Sequence, residues 1–213
     1  MRGEQFFIRP RAAFWAGLAL VGVVIAVAAV IPAGPLAVDQ RWSEAMVDVQ
    51  TSRLHDLALV FNYLGRGVGR GVSLAAIGFA LVAARRWQAL IAFAAAESLT
   101  PLAVNALKAL VDRPRPPDAM LDAAGSSFPS GHAAYAGATA LALVVLFTRQ
   151  GSRKRRVSAV AAVVVVAGMA WSRTYLQVHW LTDALSGALL GLGIALATFA
   201  AVQCIKRYGA SSG

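Results

Sequence analysis

Apolar residues occur in long blocks along this chain, and short polar segments separate the blocks. A helix needs ~17–25 residues to cross a hydrocarbon core of ~30 Å. Five blocks come close to that length: 13–31, 89–111, 131–148, 157–171 and 181–203. A sixth block, 71–84, is shorter and follows the glycine-rich segment 65–71. Because membrane helices tolerate glycine better than soluble helices do, we predict that the sixth helix begins before these glycines, within 57–64. The pattern predicts an all-α polytopic membrane protein, a bundle of six transmembrane helices.

The composition agrees with a membrane location. Of the 213 residues, 58% are hydrophobic, which is more than a soluble domain of this size can bury. We predict that residues 1–213 form a single membrane-embedded domain. The first block is longer than the ~7–15-residue core of a cleaved signal peptide, so we interpret it as a retained helix. The one cysteine, Cys204, allows neither an intramolecular disulfide nor a zinc–thiolate cluster.

The net charge of +10 would favour nucleic acid as the partner of a soluble protein, but no basic face with interleaved aromatic residues accompanies it. The basic residues instead form four clusters, placed at alternate connections between the blocks. They are Arg2, Arg9 and Arg11; Arg85 and Arg86; Arg149, Arg153, Lys154, Arg155 and Arg156; and Lys206 and Arg207. Cytoplasmic segments of membrane proteins carry such an excess. We therefore predict a multi-pass protein of the cell membrane with both termini in the cytoplasm.

The first external segment follows Pro32 and Pro35, which end the first helix because proline cannot continue it. Residues 38–55 mix charged side chains with apolar ones such as Trp42 and Met46. This mixture predicts an amphipathic helix at the membrane surface.

Three groups of polar residues stand out, and the predicted topology places all of them at the external face. They are Lys108-Ala-Leu-Val-Asp-Arg-Pro-Arg115-Pro116, Pro129-Ser130-Gly131-His132, and Ser172-Arg173-(five residues)-His179-(three residues)-Asp183. Residues four apart share a face of a helix, so Asp183 can accept a hydrogen bond from one ring nitrogen of His179. The other nitrogen is then bare and nucleophilic.

The other two groups supply features that bind anions and move protons. Free backbone N–H groups at a helix start bind anions; there, Ser130 adds a donor, Gly131 allows close approach, and His132 offers a proton. The cationic residues match a phosphate with two or three charges; they are Lys108, Arg115 and Arg173. Each group alone also fits a structural role, as a His–Asp helix cap, a capped helix start or a snorkelling lysine. Together, at one membrane face, they form the inventory of phosphoryl transfer.

These three motifs, in this order and with these spacings, resemble those of the type 2 phosphatidic acid phosphatase superfamily, and no motif position departs. The motif core spans residues 108–183. The resemblance implies that His179 attacks phosphorus to form a phosphohistidine and that Asp183 orients it. It also implies that His132 protonates the leaving oxygen and then activates water. The phosphate-binding residues it implies are Lys108, Arg115, Ser130, the backbone of Gly131, and Arg173. We expect no metal and no cofactor.

The expected partner is a membrane lipid phosphate or diphosphate in the bilayer, bound from the extracytoplasmic side. The small chain has no extra external domain for a bulky headgroup, which favours a polyprenyl diphosphate over phosphatidylglycerophosphate or phosphatidate. A lipid phosphotransferase stays an open alternative, and a non-enzymatic transporter is a distant one. Glu97, deep in the predicted third span, fits either a substrate or proton role or a buried partnership with Asn105 or a hydroxyl.

Overall fold

The computed structural model describes residues 6–147 and 152–209, and within these ranges the secondary structure is helical. The helices are α1 Pro10–Val30, α2 Ala37–Asp48, α3 Ser52–Leu64, α4 Gly67–Ala83, α5 Trp87–Val111, α6 Gly131–Phe147, α7 Arg153–Tyr175 and α8 Leu181–Gly209. This agrees with the all-α prediction. Arg2 and Arg149, two of the predicted cytoplasmic residues, lie outside the described ranges.

Four of these helices are long and apolar enough to cross a membrane: α1, α5, α7 and the Leu181–Lys206 part of α8. A fifth span results if the bent pair α3 and α4 is counted as one. The apolar part of α6, Gly131–Val145, is shorter. Large apolar side chains of α7, such as Val160 and Val163, are exposed, as expected for a surface that faces lipid rather than water. The protein is therefore a multi-pass membrane protein.

The second span differs from the prediction of one helix that runs through the glycines. The chain breaks after Leu64, and the axes of α3 and α4 differ by 56°. At the break, Arg66 is extended and Gly67 has a φ of +50°, a left-handed conformation that glycine adopts without the steric cost of a side chain. The predicted helix is therefore not continuous through the glycines, because the chain leaves the helical conformation at Arg66 and Gly67.

The external amphipathic helix is also shorter than predicted. Helix α2 ends at Asp48, and a new helix begins at Ser52, where the hydroxyl of Thr51 accepts a hydrogen bond from the Leu54 amide at 3.3 Å. Such an N-cap satisfies one of the free amides of a helix start. His55, placed in the amphipathic segment by the sequence pattern, lies instead in the first turn of α3.

Helix α8 lies at the centre of the bundle and packs against α1, α5, α6 and α7. Its contact with α6 is so close that a Cβ atom on Gly187 would lie 3.1 Å from the carbonyl carbon and 3.2 Å from the amide nitrogen of Ser130. At the other end of the bundle, Gln203 of α8 hydrogen-bonds the backbone of Phe6 and Phe7, and the Arg155 guanidinium donates to the Phe6 carbonyl. The basic residues at the start of α7, such as Arg155, therefore lie at the end opposite Ser130.

Candidate active site

The three polar groups meet at one end of the bundle, as the sequence predicts. Helix α5 brings Lys108 there near its last turn, α6 begins there with Gly131 and His132, and α7 ends there two residues after Arg173. His179 lies in the connection from α7 to α8. The Ser130 amide donates to the carbonyl of Asp183 at 3.0 Å, which joins the second motif to the third.

His179 is 6% exposed, and its hydrogen bonds fix the state of its ring. The Nδ1 atom lies 2.7 Å from the carbonyl oxygen of Ser127. Because a carbonyl only accepts, Nδ1 carries the proton, and Nε2 keeps its lone pair in the neutral ring. Nε2 lies 3.4 Å from Nη1 of Arg115. The ring therefore presents its unprotonated nitrogen to the cationic side of the site.

The predicted partner of Nδ1 is thus corrected. The nearer carboxylate oxygen of Asp183 lies 3.8 Å from Nδ1, which is too far for a hydrogen bond. That oxygen instead accepts from the Trp180 amide at 2.9 Å, which holds the start of α8. Asp183 supplies a negative charge beside the ring, and the Ser127 carbonyl supplies the hydrogen bond.

Burial and charge together keep His179 neutral. Burial lowers its pKa to about 4, and the positive charges of Arg115 and Lys108 act in the same direction, while Asp183 opposes them. A neutral imidazole at physiological pH is the form that can attack an electrophile.

Lys108 and Arg115 contact the segment that precedes α6, whereas Arg173 contacts α3. Lys108 donates to the Ser126 carbonyl. Arg115 donates to the carbonyls of Val178 at 2.7 Å and Gly125 at 3.1 Å. Arg173 is 2% exposed and donates through Nη1 to Asn62 of α3 at 2.7 Å, while its Nε and Nη2 are buried and have no partner among the described residues. Buried donors without partners are costly unless a ligand satisfies them.

The start of α6 completes the ring of candidate groups. Ser130 is fully buried, and its Oγ lies 3.5 Å from the Ala133 amide, so it caps the helix only loosely. His132 has a buried Nε2 with no partner within residues 6–147 and 152–209. These groups, with the Gly131 backbone, are placed to contact an anion at the positive end of the helix dipole.

Three residues that contribute to the site were not predicted from the sequence. The Ser127 carbonyl is a backbone acceptor and leaves no mark in the sequence. Asn62, the partner of Arg173, lies in a segment interpreted only as a helix start. Arg113 is fully buried and donates from Nη1 to Asp183 at 2.6 Å and from Nη2 to Asp39 at 2.8 Å. The one available signal was that Arg113 belonged to a basic cluster on the side where positive charge is disfavoured.

Glu97 lies away from these groups, among other polar side chains. It accepts a hydrogen bond from the Thr139 hydroxyl at 2.9 Å, and Arg70 approaches its second oxygen at 3.7 Å. The Arg70 guanidinium also lies 4.8 Å from the centre of the Tyr135 ring. The predicted hydroxyl partner is confirmed, and a cationic partner from α4 is added.

Fold and site define a multi-pass helical membrane protein in which a buried, neutral histidine faces a cluster of cationic donors. The sequence pattern of the PAP2 superfamily matches residues 86–207, and the chain belongs to the PAP2 superfamily. The resemblance drawn from the three motifs is therefore confirmed. None of the curated proteins compared matches the chain.

Two solved structures are similar over most of the chain. A transmembrane PAP2-type phosphatidylglycerolphosphate phosphatase from Bacillus subtilis has a TM-score of 0.66 and 25% identity, over 95% of this chain and 98% of that one. LpxE from Aquifex aeolicus has a TM-score of 0.65 and 22% identity, over 76% of this chain and 95% of that one. Both likenesses support the fold described above.

Proposed function

We propose that this protein is a membrane lipid phosphatase that works through a phosphohistidine on His179. The observation that carries the proposal is the state of that ring. Its Nδ1 proton is held by the Ser127 carbonyl, and its bare Nε2 lies 3.4 Å from the Arg115 guanidinium. A nucleophilic nitrogen that faces a cationic clamp is the arrangement that attack on a phosphate requires.

All three motifs contribute to this cationic clamp, the set of side chains and amides that would hold the phosphate. Lys108 and Arg115 exchange their carbonyl partners for phosphate oxygens, and the free Nε and Nη2 of Arg173 meet a third oxygen. The Ser130 hydroxyl and the Gly131 amide complete the contacts from the helix start. Fixed donors of this kind stabilise the charge of the transition state without reorganisation during the reaction.

The reaction proceeds in two balanced steps. Nε2 of His179 attacks phosphorus, the bond from phosphorus to the lipid oxygen breaks, and His132, which is protonated once the anionic phosphate lies beside it, gives its proton to that oxygen. The neutral His132 then takes a proton from water, the water oxygen attacks phosphorus, and the P–N bond breaks to release phosphate and free His179. The negative charge of Asp183 stabilises the ring while it carries the phosphoryl group.

The hydrocarbon part of the substrate has room within the bundle. A cavity of about 1170 Å³ lies between α3, α4, α6 and α7, and most of its wall is apolar. It extends along α7 from Arg153 to Met169, and Met169 precedes Arg173 by one helical turn. A lipid chain can therefore occupy this space while the phosphate contacts Arg173 and the other site residues beyond Met169.

Among lipids, a polyprenyl diphosphate is our preferred substrate, because the described connections at this end of the bundle form no separate domain around the site. Phosphatidylglycerolphosphate is the second candidate, because a PAP2-type phosphatase of that lipid from Bacillus subtilis is 25% identical to this chain. Transfer of the phosphoryl group to a second lipid is the alternative to its transfer to water.

We also propose that α6 crosses the bilayer, which gives six spans in one domain of residues 1–213 with its motif core at 108–183. The basic start of α7 then lies in the cytoplasm, in accord with the positive-inside rule. The site at the opposite end faces the extracytoplasmic side, and the substrate headgroup approaches from the outer leaflet.

A phosphate-release panel tests the proposal. Purified protein in detergent, with EDTA present, is given polyprenyl diphosphate, phosphatidylglycerolphosphate and phosphatidate in turn. We expect release of free phosphate from at least one lipid, inhibition by vanadate, and no release by His179→Ala, since the proposed nucleophile is then missing.

Two results would contradict the proposal. Full activity in His179→Ala would remove the nucleophile from the mechanism. Loss of activity in EDTA with recovery on addition of magnesium would show that the cationic side chains alone do not neutralise the charge of the phosphate. Transfer of label to a second lipid without free phosphate would favour the phosphotransferase.

A further inference from the structure

A buried cluster of charged residues links the amphipathic helix α2 to the start of α8. Arg113 lies between Asp39 and Asp183, and all three side chains are fully buried. Its guanidinium reaches Asp183 at 2.6 Å and Asp39 at 2.8 Å. A buried ion pair is stable only when its geometry is good and its remaining hydrogen-bonding atoms are satisfied.

Asp39 meets that condition through several donors, whereas Nε of Arg113 has no partner among the described residues. One of its oxygens accepts from the Thr182 amide at 2.9 Å, and the other accepts from the Thr182 hydroxyl at 3.0 Å and from the Leu36 amide at 3.1 Å. Asp39 thus contacts the residue beside Asp183 as well as the arginine that pairs with it.

Arg113 also holds the other group that orients His179. Its carbonyl accepts from the Ser127 amide at 2.7 Å, and the Ser127 carbonyl receives the Nδ1 proton of His179. The guanidinium and the backbone of one residue therefore fix both the charge beside the ring and the acceptor of its proton.

Charge explains why a second carboxylate is needed. A single arginine paired with Asp183 would cancel the negative charge that faces His179. With Asp39 present, the cluster has two negative charges and one positive charge, so a net negative charge remains next to the ring. Such a charge favours an imidazole that becomes positive as it bonds to phosphorus, and its effect is larger at a buried position than in bulk water.

We propose that Asp39 is a positioning residue for the reaction: it neutralises Arg113 and so preserves the charge of Asp183 towards His179. This inference rests on the proposed function. Asp39 does not touch the substrate, and it acts through Arg113 and Asp183. It therefore affects the transition state more than the bound ground state.

Asp39→Asn tests this, with Asp48→Asn as the matched control, because Asp48 is exposed on the same helix. We expect Asp39→Asn to lower kcat by about 10- to 100-fold, with KM unchanged; this is the loss that follows when the hydrogen-bonding partner of a metal-binding side chain is removed. Asp48→Asn should equal the wild type. A loss explained only by destabilisation would appear as a lower thermal midpoint in detergent and an unchanged kcat for the folded fraction.

Combining Asp39→Asn with Asp183→Asn provides a second test of the inference. In an Asp183→Asn background there is no charge to preserve, so Asp39→Asn should cause little further loss of kcat. Residues that act as one unit show this non-additivity. Additive losses, or a normal kcat in Asp39→Asn, would overturn the inference.

Vanadate binding separates failure of this inference from failure of the proposed function. By calorimetry, Asp39→Asn should weaken vanadate binding by the same factor as kcat, while inorganic phosphate binds as to the wild type. A wild type that binds vanadate but hydrolyses no lipid would contradict only the proposed function. Equal vanadate affinity in Asp39→Asn and wild type would contradict the inference. If Asp39→Asn aggregates, Arg113→Lys provides the same test, because one ammonium cannot pair with both carboxylates as a guanidinium does.

Discussion

A close contact between α8 and the start of α6 leads directly to the site, and its disturbance should affect catalysis. In Gly187→Ala, the new Cβ would lie 3.1 Å from the carbonyl carbon and 3.2 Å from the amide nitrogen of Ser130, and closer still to its carbonyl oxygen. Ordinary contact requires ~3.5–4.0 Å between carbons, so the start of α6 must move away from α8 by roughly 1 Å. That movement stretches the 3.0 Å hydrogen bond from the Ser130 amide to the Asp183 carbonyl.

The expected loss follows from this displacement. A misplacement of about 1 Å can cost ~10²-fold in rate, and overpacking of this kind costs ~1–3 kcal/mol of stability. We therefore expect kcat/KM for phosphate release to fall by about 100-fold and the thermal midpoint to drop. The matched control is Gly78→Ala in α4, where a Cβ would meet no atom within 4 Å. That change should leave the rate unchanged and stabilise the helix by about 0.5–1 kcal/mol.

The assay is phosphate release from the preferred lipid by detergent-purified protein, together with thermal unfolding of each variant. Gly187→Ala with the rate and midpoint of the wild type would refute the close packing of α8 on the anion site. A lower midpoint with an unchanged rate would show that Ser130 does not take part in the reaction.

Three further predictions follow from the site. Because the Ser127 carbonyl keeps the ring tautomer, Asp183→Asn should lower kcat by about 100-fold, less than the ~10⁴-fold loss that accompanies a wrong tautomer; a loss as complete as that of His179→Ala would contradict this. Since burial lowers the pKa of His179 to about 4, nitrogen NMR should show a neutral ring down to about pH 5. The stability that depends on this neutral ring should be full above ~pH 6.5, the ordinary pKa of histidine, and should decline as the pH falls from there to about 4; a ring midpoint near pH 6.5 would be inconsistent with this. In a Cys204→Ser background, a cysteine at the exposed Ala119 should react with an impermeant thiol reagent in intact cells, and one at the exposed Arg156 only after lysis; reversed labelling would place the site in the cytoplasm.

The sequence was informative where function depends on the type and order of side chains. The positions of the apolar blocks predicted the main helices, because long apolar runs are specified residue by residue. The three motifs predicted that Lys108, His132 and His179 lie at one end of the bundle, which the structure confirms. Their roles in catalysis stay predictions.

The features that could not be predicted depend on backbone atoms and on distant pairs. A backbone carbonyl such as that of Ser127 has no residue-specific signature, so the sequence suggested the carboxylate four residues from His179 instead. Asp39 and Arg113 are 74 residues apart, and no local periodicity joins them. The break between α3 and α4 depends on the left-handed conformation of Gly67, and the presence of a glycine permits that conformation without requiring it.

The central claim is that the phosphoryl group passes through His179, and trapping of the intermediate tests it most directly. Protein is mixed with lipid labelled in its phosphate, denatured within the turnover time in alkaline detergent to preserve phosphohistidine, and mapped by mass spectrometry. The account predicts label on the peptide that contains His179, and none in His179→Ala. Label on another residue, or steady release of phosphate with no labelled His179, would contradict it.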